Sequence, residues 1–250
     1  ATGAVLKTDK NIDAFTLKSA TPLSEYNAYN KRVSKVGIHG LRTLQMAQGV
    51  GRGIVCYIYG NEILLDRTIS SGFNYGHYIS EGSEIVLHQV NSYNNNYGLF
   101  VGAEEFPPIV DSQGIYLDEC NIHNNGTCNL ICRNLLELYI TGGSWMAIPG
   151  TGEGGIVFDT ACTLATVCIE KIDFEQNKKP SVIVKSHPVN LVFSQNQVAP
   201  EDRNVPVIDV KSGNHNAKLT VQENYLDTVF SKWVKVESTV DNGYVFDLMN

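Results

Sequence analysis

Asp66, His88 and Asp118 are the residues whose types and spacing first suggest chemistry. Each closes an alternating apolar run, ILLD (63–66), IVLH (85–88) and IYLD (115–118), at offsets of 22 and 30 residues. If the three runs are neighbouring strands about 4.8 Å apart, the two carboxylates stand ~10 Å from each other with an imidazole between them. An inverting glycosidase separates its acid and base by roughly 6.5–9.5 Å to leave room for a water, and side-chain rotation closes the difference. The plain alternative is a solvated face on which two carboxylates flank a histidine.

Other groups of the same kind are scattered along the chain. The segment VGAEEFPPIVD (101–111) carries Glu104, Glu105 and Asp111, and sets Phe106 before two prolines that stiffen it. Such a loop forms the wall of a groove or a subunit contact, and its rigid aromatic suits a sugar ring. Asp173 and Glu175 flank Phe174 and share one strand face, with Lys171, Lys178 and Lys179 near enough for salt pairs. Asp159 and Glu223 complete the carboxylates. Tyr93, Tyr97, Tyr116 and Tyr139 each combine an apolar ring with a hydroxyl, as saccharide grooves require. Trp145, in the Gly-rich stretch GGSWMAIPGTGEGG, is expected as a sugar platform or as a cap over the structure beneath.

Several chemistries find no support. That Gly-rich stretch lacks the Gly-Lys-Ser/Thr ending of a phosphate loop, and no GxSxG is present. Histidines 39, 77, 123, 187 and 215 do not fall at metal-ligand spacing, and no Asp-x-Asp loop marks calcium. No metal and no cofactor is expected.

The elements that position these residues come from a repeat. NEILLDRTISSGFNYGHYIS (61–80) overlays SEIVLHQVNSYNNNYGLFVG (83–102) at an offset of 22, and GIYLDECNIHNNG (114–126) matches after an insertion of about eight residues within 101–111. Each run spans four to eight residues, is rich in β-branched and aromatic side chains, alternates apolar positions and ends at Gly, Asn or Ser. Short strands and turns repeating every 20-odd residues without a helical stretch predict an all-β, right-handed parallel β-helix. Ile63/Ile85/Ile115 and Leu65/Leu87/Leu117 should form interior columns, Leu64, Val86 and Tyr116 should face outward, and Asn91/Asn121 should sit where the chain turns. The expected organisation is a cap or linker over 1–36 with some helical character in TPLSEYNAYNKRVSK, the β-helix over 37–225, and a separate C-terminal β segment over 226–250 ending in a hairpin. An antiparallel sandwich is the competing architecture, but few Asn-Gly hairpin signals stand between the runs. The six cysteines read as free buried thiols; Cys128/Cys132 and Cys162/Cys168 should each share a face.

Composition narrows the partners. Charged residues are only 18% of the 250, the net charge is -7, and Lys/Arg form no block. Nucleic acid and anionic membrane are therefore poor partners, and no apolar run approaches the ~20 residues of a membrane span. A surface of amides, hydroxyls and aromatics suits sugars. The chain opens ATGAV without Met, as a processed protein or a segment of a longer one does.

Coils of about 22 residues rich in polar Asn, unpaired cysteines and a β-rich tail resemble the β-helical tailspikes and pectate-lyase-like tail fibres of bacteriophages over roughly residues 37–230. The resemblance implies a homotrimer in the virion tail, or otherwise an extracellular protein, that binds bacterial surface polysaccharide and in many members hydrolyses it. The family's AxGDGxxDDT-like opening is absent, and none of its catalytic motifs transfers by position. The alternatives are a secreted polysaccharide lyase, using Arg67 or Arg133 as its basic group, and a non-catalytic structural or adhesin β-helix.

Overall fold

The computed structural model describes residues 4–18, 34–57, 61–103, 112–160, 164–186, 189–211, 218–226, 233–237 and 245–249. Within them the chain winds through three nine-stranded sheets, and each coil contributes one strand to each sheet. Every pairing is parallel, so the architecture is a parallel β-helix. Coil 3 shows the unit: Ile69–Ser71 in sheet 1, Tyr75–Ser80 in sheet 2 and Ser83–His88 in sheet 3.

The interior forms as the alternation requires. Ile63, Ile85 and Ile115 pair in register, as do Leu65, Leu87 and Leu117. All six are at most 1% exposed, and each such burial contributes about 1.5–3 kcal/mol before the entropy of ordering is subtracted. Leu64 and Val86 face outward and are half-buried, and Tyr116 beside them is exposed.

The stack extends further than the repeat alone indicated. Val5–Thr8 and Asp13–Lys18 pair in parallel with Arg42–Gln45 and Arg52–Tyr57, so part of the expected cap is a coil. At the other end Val234–Val236 and Val245–Met249 pair with Ile208–Val210 and Lys218–Gln222, continuing sheets 2 and 3. The stretch with expected helical character and the hairpin at 241–243 lie largely or wholly outside the described residues.

Asparagines hold two corners, though Asn91 and Asn121 are not the turning residues. Those two begin three-residue strands of sheet 1. The chain turns three positions later, at Asn94 and Asn124, both with φ of +55°, a left-handed conformation that Asn tolerates better than most residues. The next residue, Asn95 or Asn125, points inward. The Asn95 side chain accepts the Phe73 N–H at 2.9 Å, and Asn125 accepts the Asn95 N–H at 3.1 Å. A second ladder stands at the corner between sheets 3 and 1, where Asn196 accepts from Ile172 N–H and Asn224 from Asn196 N–H. Each amide thus satisfies a buried donor of the coil before it.

The thiols of Cys56, Cys120, Cys128, Cys132 and Cys168 are free. Cys128 and Cys132 do not share a face. Asn129 and Leu130 both serve the interior, which breaks the alternation and leaves Cys128 in a second apolar cluster on the outside of sheet 2.

Candidate functional site

The outer face of sheet 3 brings together Asp66, His88 and Asp118, in register on coils 2, 3 and 4. His39, one coil before Asp66, joins them. Asp66 is the hub and is only 7% exposed. Its Oδ2 stands 3.1 Å from His39 Nδ1 and accepts the Arg67 Nε–H at 2.9 Å, while its Oδ1 stands 2.9 Å from His88 Nδ1. His88 Nε2 is 3.6 Å from Asp118 Oδ2.

These contacts decide protonation. Hydrogen bonds from His39, then His88, then Arg67 hold the Asp66 carboxyl well below its ordinary range. A carboxylate so stabilised is a fixed anion, poorly suited to donating a proton as a glycosidase acid. It instead orients two imidazoles: with Nδ1–H donated to Asp66, each ring keeps its Nε2 as the basic atom. The face therefore offers a pair of oriented bases.

Beside the ladder, two residues back along each strand, Tyr116 and Tyr139 stack at 5.1 Å and 10°. Tyr116 is 42% exposed. A flat apolar surface thus adjoins the imidazole–carboxylate ladder.

The other expected residues lie on different faces. Tyr93 belongs to sheet 1 and stacks on His123 at 5.3 Å and 7°. Tyr97 lies on the outside of sheet 2, stacked on Tyr75 at 4.8 Å. Asp173 and Glu175 do share the outer face of sheet 1 around buried Phe174. Burial, and secondly Glu175, raises the Asp173 pKa. Asp159 binds Arg133 at 2.8 Å and Lys185 at 3.4 Å, and Glu223 accepts from Gln195 at 2.9 Å. Trp145 is neither platform nor cap: it is fully buried on the inward side of the three-residue strand Ser144–Met146, paired with Ile122. Glu104, Glu105, Phe106 and Asp111 lie outside the described residues.

The sequence does not join His39 to this column, because the expected cap ends at residue 36, inside the strand Ser34–His39. The signal was present: VGIH (36–39) repeats the apolar alternation of ILLD 27 residues later. Among the described residues no group of three or more His, Cys, Asp or Glu side chains is placed to hold a metal ion.

The sequence matches no family model and no curated protein. Its fold does match solved structures. DFA-IIIase from Arthrobacter chlorophenolicus A6 without its lid superposes with a TM-score of 0.57 at 9% identity, over 94% of this chain and 66% of that one. The A-module of the Azotobacter vinelandii mannuronan C-5 epimerase AlgE6 gives 0.50 at 14% identity, over 98% and 79%. The chain thus spans about two thirds of the length of the first of these. At such identities the likeness is one of fold, a parallel β-helix.

Proposed function

We propose that the chain binds a polysaccharide across the outer face of sheet 3 and cleaves it there, as the host-recognition domain of a phage tail protein acting on bacterial surface polysaccharide. The observation that carries the reading is the Asp66-anchored pair of imidazoles beside exposed Tyr116, stacked on half-buried Tyr139. The named neighbours, a DFA-IIIase and a mannuronan epimerase, support the carbohydrate class. The phage setting rests on the resemblance in coil length and composition.

In this reading the tyrosine pair holds a sugar ring and His88 Nε2 takes the proton, either from a water attacking the glycosidic carbon or from the sugar carbon next to a uronate carboxyl; the glycosidic C–O bond breaks and the leaving oxygen takes its proton from solvent water. Asp66 fixes the tautomer and stabilises the imidazolium that forms. A second reading, cleavage by elimination next to a uronate, is favoured by one observation: the groups oriented on this face are bases, and the central carboxyl is held ionised.

Incubation with a panel of bacterial capsular, O-antigen and teichoic polymers, followed by sizing of products, tests the reading. Shortened products are expected, and ultraviolet absorbance from an unsaturated end distinguishes elimination from hydrolysis. His88→Ala should lower the rate by about 10²–10⁴-fold, the usual range for loss of a positioned acid–base group. Binding without shortening removes the cleavage claim, and absence of binding to any polymer removes the whole reading.

A further inference from the structure

A concavity lies away from sheet 3, at the corner between sheets 1 and 2 of the first three coils. It has a volume of about 290 Å³ and is lined by Asn11, Asp13, Gly51, Arg52, Asn74 and Tyr75, with Ile12 on its rim. Its walls are built rather than incidental. Arg52 binds Asp13 through two parallel hydrogen bonds of 2.7 and 2.9 Å, with each side chain about one quarter exposed. Tyr75 follows Arg52 in register and is backed by Tyr97 in a stack at 14°. One pleat column therefore carries a carboxylate, a guanidinium and two rings on successive coils.

The floor depends on a glycine. Gly51 has φ of +64°, its N–H donates to Asn11 Oδ1 at 2.8 Å, and a Cβ there would overlap the Ile12 carbonyl. Asn74 Oδ1 accepts from Asn96 at 3.0 Å. Asn11 and Asn74 thus each use the amide oxygen within the protein and keep an NH₂ as donor.

The geometry points to a binding subsite for a single uncharged sugar unit. The volume is near the lower bound of small-ligand pockets, roughly 300 Å³. The aromatic wall supplies a surface for the apolar face of a pyranose. Two amide donors and the Asp13–Arg52 pair, with acceptor and donor side by side, match the adjacent hydroxyls of a sugar edge. Because that ion pair is internally neutral, the pocket offers no net charge to an anionic or cationic ligand. This subsite goes beyond the sheet 3 reading, which concerns another face and a polymer.

The test is saturation-transfer NMR of the wild-type chain with the methyl glycosides of glucose, galactose, mannose and rhamnose and with N-acetylglucosamine. Transfer to at least one of them is expected. Asn74→Ala should weaken it at least ten-fold, and Ile12→Trp, which places a bulky side chain at an exposed rim position, should abolish it. His88→Ala should leave it unchanged. No transfer from any of the five sugars overturns the proposal. So does transfer that survives Ile12→Trp and Asn74→Ala, or that disappears in His88→Ala. Failure of the polymer assay with retained transfer here removes the sheet 3 reading alone.

Discussion

Asp66 shows how one side chain sets the chemistry of a face. Asp66→Asn keeps the shape but replaces an acceptor-only group with one that also donates, so His39 and His88 lose their common anion. Activity should fall by about 10²-fold or more, because the imidazolium that forms loses its stabilising charge. Unchanged activity would assign Asp66 a purely structural role. The stabilising contribution of Asp66 is complete above the ordinary carboxylate range and is lost only as pH falls through its depressed pKa. His77 behaves differently. It is fully buried, bonded at 3.0 Å to Thr68 Oγ1, and burial pushes its pKa down to about 3. The unfolded chain, with an ordinary imidazole near 6.5, binds the proton more readily across that window, so stability should decline from about pH 6.5 toward pH 3 at roughly 1.4 kcal/mol per unit. Urea denaturation as a function of pH should show this slope, and His77→Leu should remove it. The sequence made Asp66, His88 and Asp118 visible because each ends the same apolar alternation. It could not show that Asp66 would be a fixed anion, since that follows from the convergence of His39, His88 and Arg67 on two oxygens.

The coil is an element whose corners matter as much as its strands. Asn125→Ala leaves the Asn95 N–H buried without its partner, and thermal or urea denaturation should register about 1–3 kcal/mol of destabilisation. Asn91→Ala, at a half-buried strand start, should cost much less; equal losses at the two positions would contradict the ladder. Gly76 lies where sheets 1 and 2 pack closely: a Cβ would overlap Ser92 Oγ and stand 2.6 Å from Asn95 Nδ2. Gly76→Ala should therefore destabilise by roughly 1–3 kcal/mol, through displacement of the Ser92–Asn95 contact. Most strands of sheets 2 and 3 were legible as apolar runs of five to seven residues. The strands of sheet 1 were not, because three residues such as Ser144–Met146 carry only one inward side chain and look like loop. Trp145 was misplaced for that reason, with Gly142–Gly143 before it and Pro149 after it marking a turn-rich stretch. The aromatic residues were found but not sorted: alternation tells inside from outside, yet all three sheets have an outside, and Tyr93, Tyr97 and Tyr116 occupy one each.

At the scale of the molecule, the expected threefold assembly yields a direct measurement. Light scattering at micromolar concentration should give about three times the chain mass of 27.5 kDa, and a value near one chain rejects it. The terminal coils were the least legible part of the fold. Val5–Thr8 is largely exposed and so lacks the buried alternation that marked the middle coils. At the corner leading from sheet 3 to sheet 1 the chain turns at left-handed residues, which include Arg67, Gln89, Glu119, Lys171, Gln195 and Glu223, as well as Gly40 and the Gly142–Gly143 pair. Successive coils are tied there by main-chain bonds, such as Arg67 N–H to the His88 carbonyl at 2.9 Å and Gln89 N–H to the Asp118 carbonyl at 2.8 Å. Because the backbone supplies this fastening, the left-handed turn residues apart from Arg67 vary in type, from Gly to Gln, Glu and Lys. A gene encoding such a chain can gain or lose one whole winding and rejoin the same pattern of bonds. A change of one or two residues at this corner has no such neutral outcome. Lineages of this molecule should accordingly differ in length by entire windings or by excursions elsewhere on the coil, and a chimera that duplicates residues 67–88 should fold with one more layer and an unaltered cross-section.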